Sequence, residues 1–209
     1  ATHNPQAPLR TALSEDYHWT APTMVTPTIG TDDVLPTDDL IGSRFEVALG
    51  HLVHKALAWL ATTQTNAADL LPNRLESWSA QLDVDPTDLP GLVQQAQQHL
   101  ECVSSSQHGQ WLLSDHESAQ CEWAISGLDH QGHARNAIID RYFVADQQRW
   151  IIDYKTATPN HESQSKEQFL QEQRERYRPQ LERYRQLVTQ LHFDDPLPIR
   201  AALYFTGLG

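Results

Sequence analysis

The clearest repeat of hydrophobic positions follows Ser43, in the segment RFEVALGHLVHKALAWLATT. Apolar side chains recur there every three or four residues, which is the spacing of one face of an α-helix. Because a serine can accept a hydrogen bond from the first turn, we predict that the helix begins directly after Ser43. A second helical region over residues 73–103 is predicted to break at Asp85-Pro86, since proline disfavours helical backbone in the residue before it.

Two apolar runs within residues 136–156 predict a β-hairpin. The runs AIIDRYFV and RWIIDY are rich in β-branched and aromatic residues, and the polar residues DQQ separate them. If the turn is centred between Asp146 and Gln147, antiparallel pairing places Asp140 opposite Asp153. Their Cβ atoms would then lie roughly 5 Å apart on neighbouring strands.

The rest of the chain predicts an extended arm, further strands and one long helix. Residues 1–42 are polar, interrupted by prolines and without a sustained period, so we interpret them as a linker or extended arm before one globular domain at 43–209. The other predicted elements are a short strand at 111–113, a strand at 117–126, a polar helix from about 162 to 191 and a strand at 198–206.

Composition fits a soluble globular domain. The chain has 209 residues, of which 39% are hydrophobic, and it shows neither a signal peptide nor an apolar run long enough to span a membrane. We therefore expect a cytoplasmic protein without a membrane partner. The formal net charge of −12 argues against DNA binding through a generally basic surface. Seven of the fifteen basic residues nevertheless lie between Lys155 and Arg185, directly after the predicted acid pair.

The predicted hairpin carries the candidate chemistry, in Asp140, Asp153 and Lys155. Two carboxylates on neighbouring strands repel each other unless a cation, a shared proton or water compensates them. A hard divalent ion such as Mg²⁺ suits the pair, because Mg²⁺ prefers oxygen ligands. The alternative is a solvated ion pair of Asp140 with Arg141 or Lys155. The apolar residues that precede each acid favour the metal, since they indicate buried strands.

Four segments resemble motifs of the RecB/AddA branch of the PD-(D/E)XK nuclease superfamily, and they follow one another along the chain in the order of those motifs. AIIDRYF and WIIDYKT resemble its motifs II and III, with Ala137 where glycine is usual. GHLVH matches its G-x-x-x-H motif at His54, and YRPQLERY is similar to its Y-x-x-Q-L-x-x-Y motif at Gln180 and Tyr184. The resemblance implies an α/β fold with an αβββαβ core, in which helices flank a central mixed sheet, together with extra N-terminal helices.

The resemblance also implies a metal site. Asp140 and Asp153, helped by His54 and the main-chain carbonyl of Tyr154, would hold one or two Mg²⁺ ions, for which Mn²⁺ could substitute. Lys155 would orient the attacking water and stabilise charge in the transition state. The residues expected to contact substrate are Tyr177, Arg178, Gln180 and Tyr184.

One glutamate in the predicted strand at 117–126 and the two cysteines of the chain also bear on this site. Glu122 is expected either to lie near the metal or, as we consider better supported, to pair with Arg141 across the sheet. Some relatives carry an iron–sulfur cluster on four cysteines. This chain has only Cys102 and Cys121, so no iron–sulfur cluster is expected.

The function that the resemblance implies is that of a DNA exonuclease domain. It would form part of a helicase-nuclease for DNA end processing and recombinational repair, with DNA, an upstream helicase domain and a second helicase-nuclease subunit as candidate partners. One alternative is a catalytically inactive DNA-binding or scaffolding domain, against which the intact acids and lysine argue. Another is a stand-alone structure-selective endonuclease, against which the motifs around His54 and Gln180 argue.

Overall fold

A computed structural model describes residues 43–63, 72–129, 131–159 and 164–209, so the predicted arm at 1–42 lies outside the described residues. Four helices are followed by three strands, a helix and a strand. The elements are α1 (Arg44–Thr63), α2 (Pro72–Ser79), α3 (Leu89–Ser105), α4 (Gln107–Leu113), β1 (Glu117–Leu128), β2 (Ala134–Ala145), β3 (Gln148–Lys155), α5 (Lys166–Leu191) and β4 (Ile199–Phe205).

The strands form one mixed sheet in the order β1-β2-β3-β4. The first two pairings are antiparallel, and β4 joins β3 in parallel after the crossover through α5. Helices α1 to α4 pack on one face of the sheet, and α5 packs on the other. This arrangement confirms the predicted α/β fold. Within the described residues, no helix combines the length and hydrophobicity needed to cross a bilayer.

Helix α1 begins where the sequence predicts. The Ser43 hydroxyl accepts a hydrogen bond from the Glu46 amide at 3.3 Å, and the Glu46 carboxylate accepts one from the Ser43 amide at 2.6 Å. This reciprocal capping satisfies two amides that the helix itself leaves unpaired. The apolar stripe of α1 is buried under the sheet, and Leu52, Val53 and Leu57 are almost completely inaccessible.

The β2–β3 hairpin also has the predicted turn. The two residues between the strands have φ values of 52° and 56°, as in the type I′ turns that suit the twist of a hairpin. The ladder runs as predicted as far as the pair of Arg141 and Ile152. Asp140 and Asp153 come one step beyond that pair, on adjacent strands.

The predicted short strand at 111–113 is wrong, because these residues belong to α4. The helix is capped by Ser106, whose hydroxyl accepts a hydrogen bond from the Gly109 amide at 2.9 Å. A Cβ atom at Gly109 would collide with the Val103 carbonyl, so the tight turn between α3 and α4 depends on glycine. Trp111 packs edge-on against Phe143 of the sheet. A short apolar run fits such a helix as well as it fits a strand.

Helix α5 begins later than predicted. Its first residue is Lys166, and a capping box formed by Ser165 and Gln168 fixes that start. The predicted start near 162 falls in residues 160–163, which lie outside the described residues. Pro179 lies inside the helix and not in its first turn. The break predicted at Asp85-Pro86 lies between α2 and α3 as expected.

Arg141 is buried on the face of the sheet that α4 covers, with 2% of its surface exposed. Its guanidinium group donates hydrogen bonds to the carbonyls of Leu112 and Ser114, at 3.2 and 3.0 Å, and to the Cys121 sulfur at 3.3 Å. The alternative in which Asp140 forms a solvated ion pair with Arg141 is therefore wrong. Arg141 instead ties the end of α4 to β2.

We expect Arg141→Met to lower the free energy of unfolding. The substitution leaves two carbonyls without donors, at roughly 1–3 kcal/mol for each buried acceptor. Chemical denaturation followed by circular dichroism measures the loss. Arg178→Met is the matched control, since Arg178 is exposed on α5 and its removal should change stability by no more than about 0.5 kcal/mol. Equal losses in the two variants would contradict this role for Arg141.

Candidate metal centre

The regular alternation of side chains between the two faces of the sheet is broken in β1 near Glu122 and in β2 near Asp140. Ile139 packs in the core under α5, whereas Phe143, four residues further along β2, packs in the core under α1 to α4. Regular alternation would keep both on one face, so β2 is irregular between them. β1 changes face at the same level, where Glu122 has φ 48°. A left-handed glutamate costs about 1 kcal/mol, and such strain is common at functional sites.

Glu122 lies opposite Asp140, since the β1–β2 pairs on either side keep one register. One carboxylate oxygen from each residue and one ring nitrogen of His54 all lie within 4.8 Å of one another. Two carboxylates this close require a compensating cation or proton. Among the described residues, these three form a group that could hold a metal ion.

His54 reaches the acids from α1. Its Nδ1 atom lies 3.5 Å from Asp140 Oδ1, and its Nε2 atom donates to the Tyr154 carbonyl at 3.1 Å. Burial alone would lower the pKa of His54, but the Asp140 carboxylate outweighs burial and the pKa is raised to about 9. The imidazole is therefore charged near neutral pH when no metal is bound. A divalent cation would compensate the same carboxylate, and the ring would have to release its proton before one of its nitrogens could bind that cation.

Asp140 is held by the backbone as well as by His54. Its Oδ2 atom accepts a hydrogen bond from the Tyr154 amide at 2.6 Å. Burial opposes ionisation, but His54 and this amide hold the pKa of Asp140 below its usual value. Asp140 is therefore an ionised carboxylate, and the Tyr154 main chain contacts both Asp140 and His54.

Asp153 lies on the α5 side of this group and contacts Lys155. The Lys155 ammonium is 3.0 Å from Asp153 Oδ2, which confirms that the two residues share a face of β3. Burial and the neighbouring Asp140 raise the pKa of Asp153 to about 6, although Lys155 opposes the shift. Burial acts in the other direction on Lys155, but Asp153 outweighs it and raises the pKa of the ammonium group. Lys155 is therefore a cation in this structure.

Helix α5 brings three of the four predicted substrate residues to Asp153 and Lys155. The Gln180 amide donates to Tyr184 at 2.7 Å and to Asp153 Oδ1 at 3.3 Å. The Lys155 ammonium lies 4.0 Å from the centre of the Tyr177 ring. Arg178 differs from these residues: its side chain is 54% exposed and bonds Glu175 on the same helix. The structure therefore does not bring Arg178 to the group.

The predicted pairing of Glu122 with Arg141 is wrong. The Arg141 guanidinium group bonds α4 and Cys121 on the other face, and Glu122 lies near His54 and Asp140. The pairing register of β1 and β2 is the sequence signal that points to Glu122, because it determines which residue of β1 lies opposite Asp140. The irregularity that turns Glu122 toward His54 depends on a left-handed residue, and no glycine marks that position in the sequence.

Comparison with known proteins decides the family. The sequence matches the profile described as the PD-(D/E)XK nuclease superfamily over residues 33–208. The chain belongs to this superfamily. No curated protein sequence matches the chain closely enough to count as a relative.

Membership in the PD-(D/E)XK superfamily indicates a metal-dependent nuclease. The donors in this chain fit the divalent metals that these nucleases use. Glu122 and Asp140 supply hard oxygen ligands, which suit Mg²⁺ and Mn²⁺, and His54 supplies a nitrogen that Mn²⁺ accepts. Asp153 and the Tyr154 carbonyl lie beside these donors, where they were predicted to contribute to the same site.

We expect this PD-(D/E)XK site to bind Mn²⁺ through Glu122 and Asp140. In calorimetric titrations, Glu122→Gln and Asp140→Asn should each weaken binding at least ~10-fold, because each removes a charged ligand. Glu175→Gln is the control, since Glu175 pairs with Arg178 on the exposed surface of α5. Unchanged Mn²⁺ affinity in Glu122→Gln would contradict a role for Glu122 as a ligand.

Proposed function

We propose that the chain is the exonuclease domain of a RecB/AddA-type helicase-nuclease and hydrolyses phosphodiester bonds in DNA. The observation that carries the proposal is the contact of Asp153 with Lys155, at 3.0 Å, beside the group of His54, Glu122 and Asp140. The acidic group can bind the metal, and the buried lysine beside it can contact the negatively charged phosphate.

The metal ligands in this proposal are Asp140, Asp153, His54 and the Tyr154 carbonyl, as the sequence predicts, with Glu122 added. Mg²⁺ is the expected ion, and Mn²⁺ should substitute for it. When bound, the ion would polarise the scissile phosphate and lower the pKa of its bound water. The chain contributes by holding the carboxylates ionised and fixed, as the backbone bond to Asp140 does.

Lys155 is proposed to stabilise negative charge that builds on the phosphate in the transition state. Its ammonium group is largely buried, held between Asp153 and the face of Tyr177. A cation preorganised in a site of low dielectric stabilises such charge more strongly than one in water. Because its pKa is raised, Lys155 acts here as a cation and hydrogen-bond donor.

Tyr177, Gln180 and Tyr184 are proposed to position the scissile strand. Gln180 already spans from Tyr184 to the Asp153 carboxylate, so it links the α5 surface to the acids. Burial and the nearby acids raise the pKa of Tyr184, which keeps its phenol neutral and able to donate a hydrogen bond. Arg178 is proposed to contact a more distant phosphate, since it lies on the exposed side of the same helix.

The order of motifs supports the RecB/AddA branch. His54 precedes the acids within G-x-x-x-H, and Gln180 and Tyr184 follow them. In this branch the nuclease domain works with a helicase that delivers DNA, so an upstream helicase domain and a second helicase-nuclease subunit are the proposed partners. DNA end processing in recombinational repair is the proposed role. The alternatives are an inactive DNA-binding or scaffolding domain and a structure-selective endonuclease.

We expect the purified chain to degrade end-labelled linear DNA with Mg²⁺ or Mn²⁺ and to lose that activity in EDTA. Lys155→Ala and Asp153→Asn should each lower the cleavage rate by ~10²–10³-fold, because each removes charge from the site of reaction. Lys166→Ala is the control for loss of a cation, since Lys166 is exposed at the start of α5. Its rate should equal that of the wild type.

Substrate shape separates the alternatives. An exonuclease should leave covalently closed single-stranded and double-stranded circles intact while it degrades the linear forms. Cleavage of circles, or of branched substrates in preference to linear ones, would establish an endonuclease. No cleavage with either metal, together with no calorimetric Mn²⁺ signal, would establish the scaffolding alternative.

A further inference from the structure

A buried polar pair, His99 and Thr206, adjoins the main chain of Lys155. His99 belongs to α3 and is 8% exposed, and Thr206, directly after β4, is completely buried. The neighbours of His99 on the buried stripe of α3 are apolar residues such as Ala96, Leu100 and Val103. A buried imidazole is costly unless it is hydrogen-bonded, so the contacts of His99 matter.

The pair forms a chain of hydrogen bonds that ends on the main chain of Lys155. The Thr206 hydroxyl donates to the Lys155 carbonyl at 3.2 Å, and the Thr206 amide donates to the same carbonyl at 2.9 Å. His99 Nδ1 lies 2.8 Å from the Thr206 hydroxyl oxygen. The Thr206 side chain therefore links the His99 ring to the main chain at the end of β3.

The bond from Thr206 to the Lys155 carbonyl sets the direction of this chain. A carbonyl oxygen only accepts, so in that bond the Thr206 hydroxyl gives its single proton to Lys155. The hydroxyl then accepts from His99, whose ring proton lies on Nδ1. With the opposite direction, in which the hydroxyl donates to Nδ1, the Thr206 amide alone would hold the Lys155 carbonyl. Burial lowers the pKa of His99 and so favours the neutral ring, whose two tautomers distinguish the two directions.

These hydrogen bonds act at the end of β3. Lys155 is the last residue of that strand, paired with Phe205, and residues 156–159 leave the sheet directly after it. The two bonds from Thr206 therefore hold the main chain at the point where it leaves the sheet. Close packing adds to the restraint, since a Cβ atom at Gly207 would lie 2.9 Å from Thr158 and 3.1 Å from the His99 ring.

We propose that His99 and Thr206 are positioning residues for Lys155. By fixing the Lys155 carbonyl, they hold the strand end in the orientation that places the ammonium group between Asp153 and Tyr177. The inference rests on the proposed function, in which Lys155 stabilises charge in the reaction. It extends the site to α3, one of the helices between α1 and β1.

Nitrogen-15 NMR of the histidine rings tests the hydrogen-bond chain without reference to activity. The wild type should show His99 as a neutral Nδ1–H tautomer, with its signals identified by their loss in His99→Gln. In Thr206→Val the ring should lose this preference, because the acceptor is gone. A wild-type His99 protonated on Nε2, or unchanged signals in Thr206→Val, would overturn the proposal.

Kinetics on linear DNA test the consequence for Lys155. Thr206→Val should lower kcat by ~10–100-fold with KM and Mn²⁺ affinity unchanged, because misplacing a reacting group affects the chemical step. Thr206→Ser restores the hydroxyl and should restore kcat to within about twofold of the wild type. Ser79→Ala is the control for loss of a buried hydroxyl, since the Ser79 hydroxyl donates to the Glu76 carbonyl within α2.

The two proposals fail in different ways. A wild-type protein that cleaves no DNA refutes the proposed function, whatever the NMR result. An active wild type whose Thr206→Val variant keeps the full kcat refutes the positioning role alone. A fall in Thr206→Val that Thr206→Ser does not restore also refutes it, since the effect would then follow packing and not the hydroxyl.

Discussion

The repulsion between carboxylates at the centre of the sheet determines much of this structure. Asp140 and Asp153 lie on the adjacent strands β2 and β3, both buried, and Glu122 faces Asp140 from β1. The raised pKa of Asp153, at about 6, reflects burial and the neighbouring Asp140. A fold that gathers negative charge in this way has to surround it with cations. The surrounding elements provide them, and the space between His54, Glu122 and Asp140 suits one more.

Each cationic or polar partner arrives on a different element. Helix α1 supplies His54 from one face of the sheet, β3 supplies Lys155, and α5 supplies Gln180 from the other face. The exchange of faces in β1 and β2 makes this possible, because it lets groups from both layers reach the same carboxylates. Beyond them, α3 reaches the main chain of Lys155 through His99 and Thr206. Helix α3 therefore contributes a contact to the main chain of Lys155 as well as side chains to the hydrophobic core.

Features with a local cause were predictable from the sequence, and features created by distant contacts were not. The cap at Ser43 and the hairpin turn after Ala145 follow from a few adjacent residues. The superfamily motifs pointed to Asp140, Asp153 and Lys155, which the structure brings together. Helix α4 was missed because its apolar run fits two structures and its start depends on a close approach of Gly109 to α3. Glu122 was underrated because a left-handed backbone turns it toward His54. His99 and Thr206 are 107 residues apart, so no sequence pattern joins them.

The central claim is that a divalent cation binds at the group of His54, Glu122, Asp140 and Asp153, beside Lys155. Anomalous diffraction from crystals grown with Mn²⁺ tests it most directly, since manganese is located without assumptions about its ligands. We predict a strong peak within bonding distance of Asp140 and of at least one of Glu122, Asp153 and His54. A peak elsewhere on the chain, or none at saturating Mn²⁺, would contradict this account of the site.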